Sequence, residues 1–175
     1  FYTIPGPGEF GHDTWPQDSD VYLYGGAPVW QTPAVDPELD LIYFSTGNAA
    51  PDFNGIVRPG DNLFSVSIVA IEASTGKYKW HFQQVHHDIW DYDSPNPVVL
   101  FDIEIDGKIH KALAEASKTG WFYILNREDG SPLIGIEEKP VMQEPRQATS
   151  LTQPFPIGDA FVPQKVEIAP EGYPP

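Results

Sequence analysis

The 175-residue chain contains no cysteine. That excludes a disulfide scaffold and any thiolate metal site, and it leaves no trace of a redox compartment. Positive charge is scarce: ten Lys and Arg stand against twenty-five Asp and Glu, a formal net charge of −15. A chain this acidic is unsuited to nucleic acid or an anionic membrane surface, and outside one local cluster solubility accounts for the charge. No apolar run reaches the roughly 20 residues of a membrane-spanning helix, and few stretches have the length and period of any helix. No signal peptide is visible, and the chain opens on Phe1-Tyr2-Thr3 and closes on Pro174-Pro175. Both ends read as cut, so a longer parent is expected.

What the chain has instead is punctuation and aromatics. Nineteen prolines and fifteen glycines divide it, and aromatic residues make up 13%. The length suits one domain able to bury a real core, and short strands joined by turns point to an all-β class. Residues 1–27 read as loop. Strands are expected at 31–35, 41–45, 65–71, 77–83, 98–105, 109–114 and 121–125, with an Asp106-Gly107 hairpin turn. Residues 136–175 read as mostly Pro-rich loop. Tyr78, Trp80 and Phe82 alternate as one buried face of a strand. Such spacing of strands and turns fits either a sandwich or a propeller.

The segment with most chemistry is Val85-His86-His87-Asp88-Ile89-Trp90-Asp91-Tyr92-Asp93, where two histidines, three carboxylates and a tryptophan share nine residues. Ionised carboxylates this close repel unless a cation, a proton or a hydrogen-bond network compensates them. A hard cation held by carboxylate and amide oxygens is one such compensation, and a carboxylate beside it can act as a general base. A polar turn capped by aspartates is the plainer alternative.

Ala70, Gly76 and Trp80 stand at the first, seventh and eleventh positions of one segment, a small residue, a turn glycine and a tryptophan that can lie across to a neighbouring sheet. Ile124–Gly130 partly repeats its strand and turn. This segment resembles the tryptophan-docking repeat of the eight-bladed propeller dehydrogenases that use pyrroloquinoline quinone (PQQ). Further segments are similar to that family in order and spacing. Gly25-Gly26-Ala27-Pro28-Val29-Trp30 resembles the stretch that ends in the tryptophan beneath the quinone. Thr46-Gly47-Asn48, eighteen residues beyond Trp30, resembles the turn whose asparagine binds the metal. His87-Asp88-Ile89-Trp90-Asp91 resembles the motif whose last aspartate is catalytic base and metal neighbour. Lys118, twenty-seven residues after Asp91, resembles the basic residue beside the quinone's carbonyls. Arg58–Asn62 and Thr152–Phe155 extend the likeness over nearly the whole chain.

The resemblance implies two to three blades of an eight-bladed β-propeller spanning residues 1–175, with long Gly/Pro-rich loops. It implies PQQ and Ca2+, or a lanthanide, as cofactors: Trp30 and Lys118 at the quinone, Asn48, Asp91 and Asp93 at the metal, and Asp91 with Lys118 in catalysis. An aspartate at position 93 is a mark of the lanthanide-using branch and also of membrane-bound sugar dehydrogenases, so it leaves the ion open. Pro28 stands where the methanol enzymes place a cofactor-contacting threonine. His86 and His87 are expected to be structural hydrogen-bonders, because the family's metal is oxygen-bound. The implied activity is periplasmic oxidation of an alcohol or sugar hydroxyl, with electrons passed to a cytochrome or quinone. The rest of the propeller would be needed, and the piece alone is expected to be inactive. A non-catalytic propeller scaffold or assembly protein and a calcium-binding β-module are the alternatives.

Overall fold

The computed structural model describes residues 1–158. Among them there is no α-helix, and short 3-10 turns and nine strands carry the fold. Four strands, β1 (Ala34–Asp36), β2 (Leu41–Ser45), β3 (Ser67–Glu72) and β4 (Tyr78–Gln83), form an antiparallel meander in sequence order. A second sheet joins β5 (Val99–Ile105), β6 (Lys108–Ala116) and β7 (Phe122–Asn126), also antiparallel and in order. A hairpin of β8 (Ile136–Pro140) and β9 (Thr152–Pro156) completes the described residues.

The strand limits follow local chemistry. β1 begins later than the sequence suggests, because Pro33 has no N–H to give and pairing starts at Ala34. β3 begins at Ser67, since Val66 is left-handed at φ 45° and breaks the ladder before it. The β5–β6 hairpin turns on Asp106 and Gly107, both at positive φ (52° and 73°), which matches the right-handed strand twist.

Two expectations are corrected. Residues 136–140 and 152–156 pair as a hairpin rather than running as loop. Pro154 and Pro156 are tolerated there because alternate positions put both missing N–H groups on one side of the strand; the remainder of 136–175, from 159, lies outside the described residues. Tyr78 also leaves the face that holds Trp80 and Phe82. The β3–β4 register slips between Ala70 and Ile71, so that Trp80 faces Ala70 and Tyr78 faces Ile71, with Lys79 as the extra residue. That bulge turns Tyr78 to the other side of the sheet, where it packs with Phe64.

The main core lies between the two sheets. Leu41, Tyr43, Ile68, Ala70 and Trp80 of the first meet Leu113, Tyr123 and Leu125 of the second, with Val98 just ahead of β5. A second cluster, Phe44, Phe64 and Val69, fills the other face of the first sheet, which is why β2 is apolar at consecutive positions. The sheets are latched at one point. Trp80 Nε1 donates to the Arg127 carbonyl at 3.3 Å, and Tyr43 donates its hydroxyl to the same oxygen at 2.8 Å. Gly130 lets the indole in: a Cβ there would stand 2.6 Å from the Trp80 ring. The Arg127 side chain pairs with Asp36 at 2.7 Å and Asp102 at 3.0 Å, tying β7 to both sheets.

Candidate active site

Three loops converge. The first leaves β2 through Thr46-Gly47-Asn48. Thr46 is wholly buried and fixes this exit: its N–H donates to the Ser67 carbonyl at 3.0 Å, and its hydroxyl accepts the Ser67 N–H at 2.9 Å. Gly47 is required by crowding, since a Cβ would lie 2.8 Å from both Asp93 Oδ1 and Pro28. The Gly47 N–H donates to the Pro28 carbonyl at 2.9 Å, which draws the Gly25–Trp30 segment alongside. The Asn48 N–H donates to Asp93 Oδ1 at 2.8 Å. Its side-chain Nδ2 donates to Asp52 Oδ1 at 2.7 Å and to the Ala49 carbonyl at 3.0 Å, leaving Oδ1 as the amide's open oxygen.

The second loop carries the acidic cluster. Asp88 is fully buried and caps it, accepting the Trp90 N–H at 3.0 Å and the Tyr92 N–H at 2.9 Å. Burial pushes the Asp88 carboxyl up to about 6, against the pull of those hydrogen bonds and of Arg58. The tight turn places Asp91 in the left-handed region at φ 61°, which Asp adopts more readily than most residues. Arg58, also fully buried, holds this loop to the first: its guanidinium donates to the Asp88 carbonyl, to Asn62 Oδ1 at 2.7 Å and to the Pro51 carbonyl at 3.0 Å. His87 points both ring nitrogens at carbonyl oxygens, Gly60 at 2.7 Å and Gln147 at 2.6 Å. His86 meets Gln83 and Glu138, while its backbone exchanges two hydrogen bonds with the Gln153 amide. Both histidines are structural hydrogen-bonders, as expected.

The third loop joins β6 to β7 and presents Lys118. Its ammonium lies 2.6 Å from Asp93 Oδ2, 3.4 Å from Asp91 Oδ2 and 2.8 Å from the Asp91 carbonyl. Burial works against that charge, but Asp93 and Asp91 outweigh it and hold the ammonium above the usual lysine range. Asn48, Asp91, Asp93 and Lys118 are thus one connected cluster. Trp30 is not joined to it by hydrogen bond or ring contact. It stands 52% exposed, two residues beyond the anchored Pro28, with its indole free to stack.

Asn48, Asp91 and Asp93 supply amide and carboxylate oxygens, the donors a hard cation prefers, at about half the six to eight such an ion takes. Among the described residues no three His, Cys, Asp or Glu side chains gather at one point, so the set depends on Asn48 as its third member. Donor type fits a Ca2+-like or lanthanide ion, with further ligands needed to fill the shell. Sequence reasoning assigned no role to the Arg58 guanidinium or the Asp88 carboxyl. The only signal was their place in the Arg58–Asn62 and HDxWD stretches, because burial of a charge is a property of packing.

Antiparallel meander sheets that face one another through a docked tryptophan, with this acid–lysine–amide cluster on their connecting loops, are the form of part of a β-propeller. The chain belongs to the PQQ-dependent dehydrogenases: residues 1–170 match the family described as "PQQ: Glucose/ethanol/alcohol dehydrogenase, beta-propeller domain". It is 41% identical to the quinohemoprotein alcohol dehydrogenase ADH IIB of Pseudomonas putida over 79% of this chain and 21% of that protein. It is 34% identical to the quinoprotein glucose dehydrogenase of Escherichia coli (strain K12) over 91% of this chain and 20% of that protein. Among solved structures, a europium-containing methanol dehydrogenase superposes with a TM-score of 0.68 at 31% identity, covering 89% of this chain and 26% of that one. The chain spans about a fifth of the length of these curated relatives.

Proposed function

We propose that this chain forms the base-bearing part of a PQQ-dependent dehydrogenase that oxidises an alcohol or sugar hydroxyl. The observation that carries the reading is the Lys118 ammonium set between Asp91 and Asp93, with Asp93 in turn holding the Asn48 backbone. Bound quinone would supply the hydride acceptor, and the cation would withdraw electron density from it. Asn48, Asp91 and Asp93 would hold that cation, and Trp30 offers the aromatic floor on which a flat ring system stacks.

The work of this chain's residues is acid–base and electrostatic. Asp91 accepts the hydroxyl proton as the substrate carbon loses its hydrogen as hydride. Lys118 provides a fixed positive charge beside that event, and its tie to Asp93 keeps the ammonium in place without reorganisation. Asp93, 4% exposed, orients both Lys118 and the Asn48 turn and would contribute an oxygen to the ion. The activity is assigned to the periplasm, with electrons leaving to a cytochrome or quinone.

The test is a titration of the whole enzyme with PQQ and either Ca2+ or a light lanthanide, following alcohol- and glucose-dependent dye reduction beside Asp91→Asn. Turnover that needs both quinone and ion, and is lost in the variant, is the expected result. Absence of quinone binding under either ion overturns it and leaves a non-catalytic propeller.

A further inference from the structure

Glu115 plays no part in the chemistry above, yet it is 1% exposed. It sits on β6, opposite Tyr123 of β7, and three residues before Lys118. Gln84 donates from Nε2 to Glu115 Oε2, and the Asn96 N–H donates to Oε1 at 3.4 Å. Ser94 donates its hydroxyl to Gln84 Oε1, and Tyr123 donates to the Gln84 carbonyl at 3.3 Å. The titratable group that faces it is the Tyr123 phenol, itself pushed up to about 12 by burial. Among the described residues no lysine, arginine or histidine pairs with Glu115. Burial pushes its carboxyl up to about 7, against the Gln84 and Asn96 hydrogen bonds.

The partners of Glu115 stand at the two ends of one loop. Gln84 opens the segment that carries Asp88, Asp91 and Asp93, and Ser94 and Asn96 close it. We propose that Glu115 is a positioning residue whose carboxyl, by gripping Gln84 and Asn96, shuts the base of the 85–93 loop and sets Asp91 and Asp93 against Lys118. What that loop does in catalysis rests on the function proposed above; the clamp itself does not.

The clamp can run in two directions. With Glu115 ionised, Gln84 donates to it and accepts from Ser94. With Glu115 neutral, a half-turn of the Gln84 amide lets the carboxyl O–H donate to the amide oxygen while the NH2 donates to Ser94. Both arrangements keep Glu115 joined to Gln84, but the ionised one holds a buried charge with no counter-ion. The folded carboxyl titrates above its unfolded value. The neutral clamp's contribution is therefore whole below about 4.5 and lost as pH rises through about 7.

The test uses the whole enzyme, wild type beside Glu115→Gln and Glu115→Leu, at pH 6 and pH 8.5. Two readouts are followed: amide hydrogen exchange over 84–96, and half-saturation by europium or terbium from lanthanide luminescence. Glu115→Leu is expected to lose protection over 84–96 and to need about tenfold more ion at both pH values. Glu115→Gln, whose amide supplies the donor and acceptor of the neutral carboxyl without its titration, is expected to retain both and to abolish the weakening that the wild type shows at pH 8.5. Wild-type exchange and ion affinity in Glu115→Leu overturn the clamp, as does a wild-type pH dependence in Glu115→Gln. A wild type that binds neither lanthanide counts against the proposed ion site instead, while the exchange data still judge Glu115.

Discussion

Asp93 Oδ2 lies 2.6 Å from the Lys118 ammonium, while Oδ1 of the same carboxylate accepts the Asn48 N–H at 2.8 Å. One buried side chain thus joins the β2 exit, the acidic loop and the β6–β7 turn. A cation of the protein's own already sits among the carboxylates, so Lys118 shares with any bound ion the task of compensating Asp91 and Asp93.

Lys118→Met removes that charge and leaves Asp93 buried without its partner. Turnover of the whole enzyme is expected to fall by about a hundredfold or more, measured as steady-state dye reduction at saturating quinone and ion. Wild-type kcat in this variant would reduce Lys118 to a structural counter-charge.

Asp91→Asn keeps the size of the side chain and the left-handed backbone, which Asn also tolerates. Loss of about 10²–10⁴ in kcat is expected, with the thermal midpoint within a few degrees of wild type. Calorimetry and initial rates on one preparation separate the chemical effect from folding.

Asp52→Ala frees the Asn48 amide from the 2.7 Å hydrogen bond that fixes its rotation. Ion half-saturation is expected to rise about tenfold, with kcat at saturating ion close to wild type. A lanthanide luminescence titration reads this directly; an unchanged titration removes Asn48 Oδ1 from the coordination shell.

Gly130→Ala sets a methyl group 2.6 Å from the Trp80 ring at a φ of 77°. Overpacking at the latch between the sheets should cost about 1–3 kcal/mol, seen as a lower urea midpoint of the whole enzyme. The same change at Gly76, whose Cβ would meet nothing within 4 Å though its φ is 72°, should cost less.

His81 tests a pH effect away from the site. Burial, with His86 nearby, holds its imidazole down to about 4, below the unfolded value near 6.5, so it stays neutral in the fold. Its contribution to stability is present above about 6.5 and is lost as pH falls through about 4. His81→Gln should therefore flatten the fall in thermal midpoint over that window.

The sequence by itself determined most of the strands and named the residues of the candidate site. Period-2 apolar runs, Asp106-Gly107 and the Ala70…Gly76…Trp80 spacing are local signals, and they placed β2 and β4–β7 within about two residues of the observed limits. Trp30, Asn48, Asp91, Asp93 and Lys118 were named because their motifs resemble those of a known family, and four of the five meet in the fold. Tertiary structure alone decided the rest. The Lys79 bulge that turns Tyr78 to the second core depends on register with β3, which the strand's own alternation does not encode. The β8–β9 hairpin is hidden by its prolines until a partner strand shows which N–H groups are unneeded. The burial of Arg58, Asp88 and Glu115 follows from contacts between residues many positions apart. A carboxyl reads the same in sequence whether water or protein surrounds it, and only packing fixes which of these charges must find its partner inside.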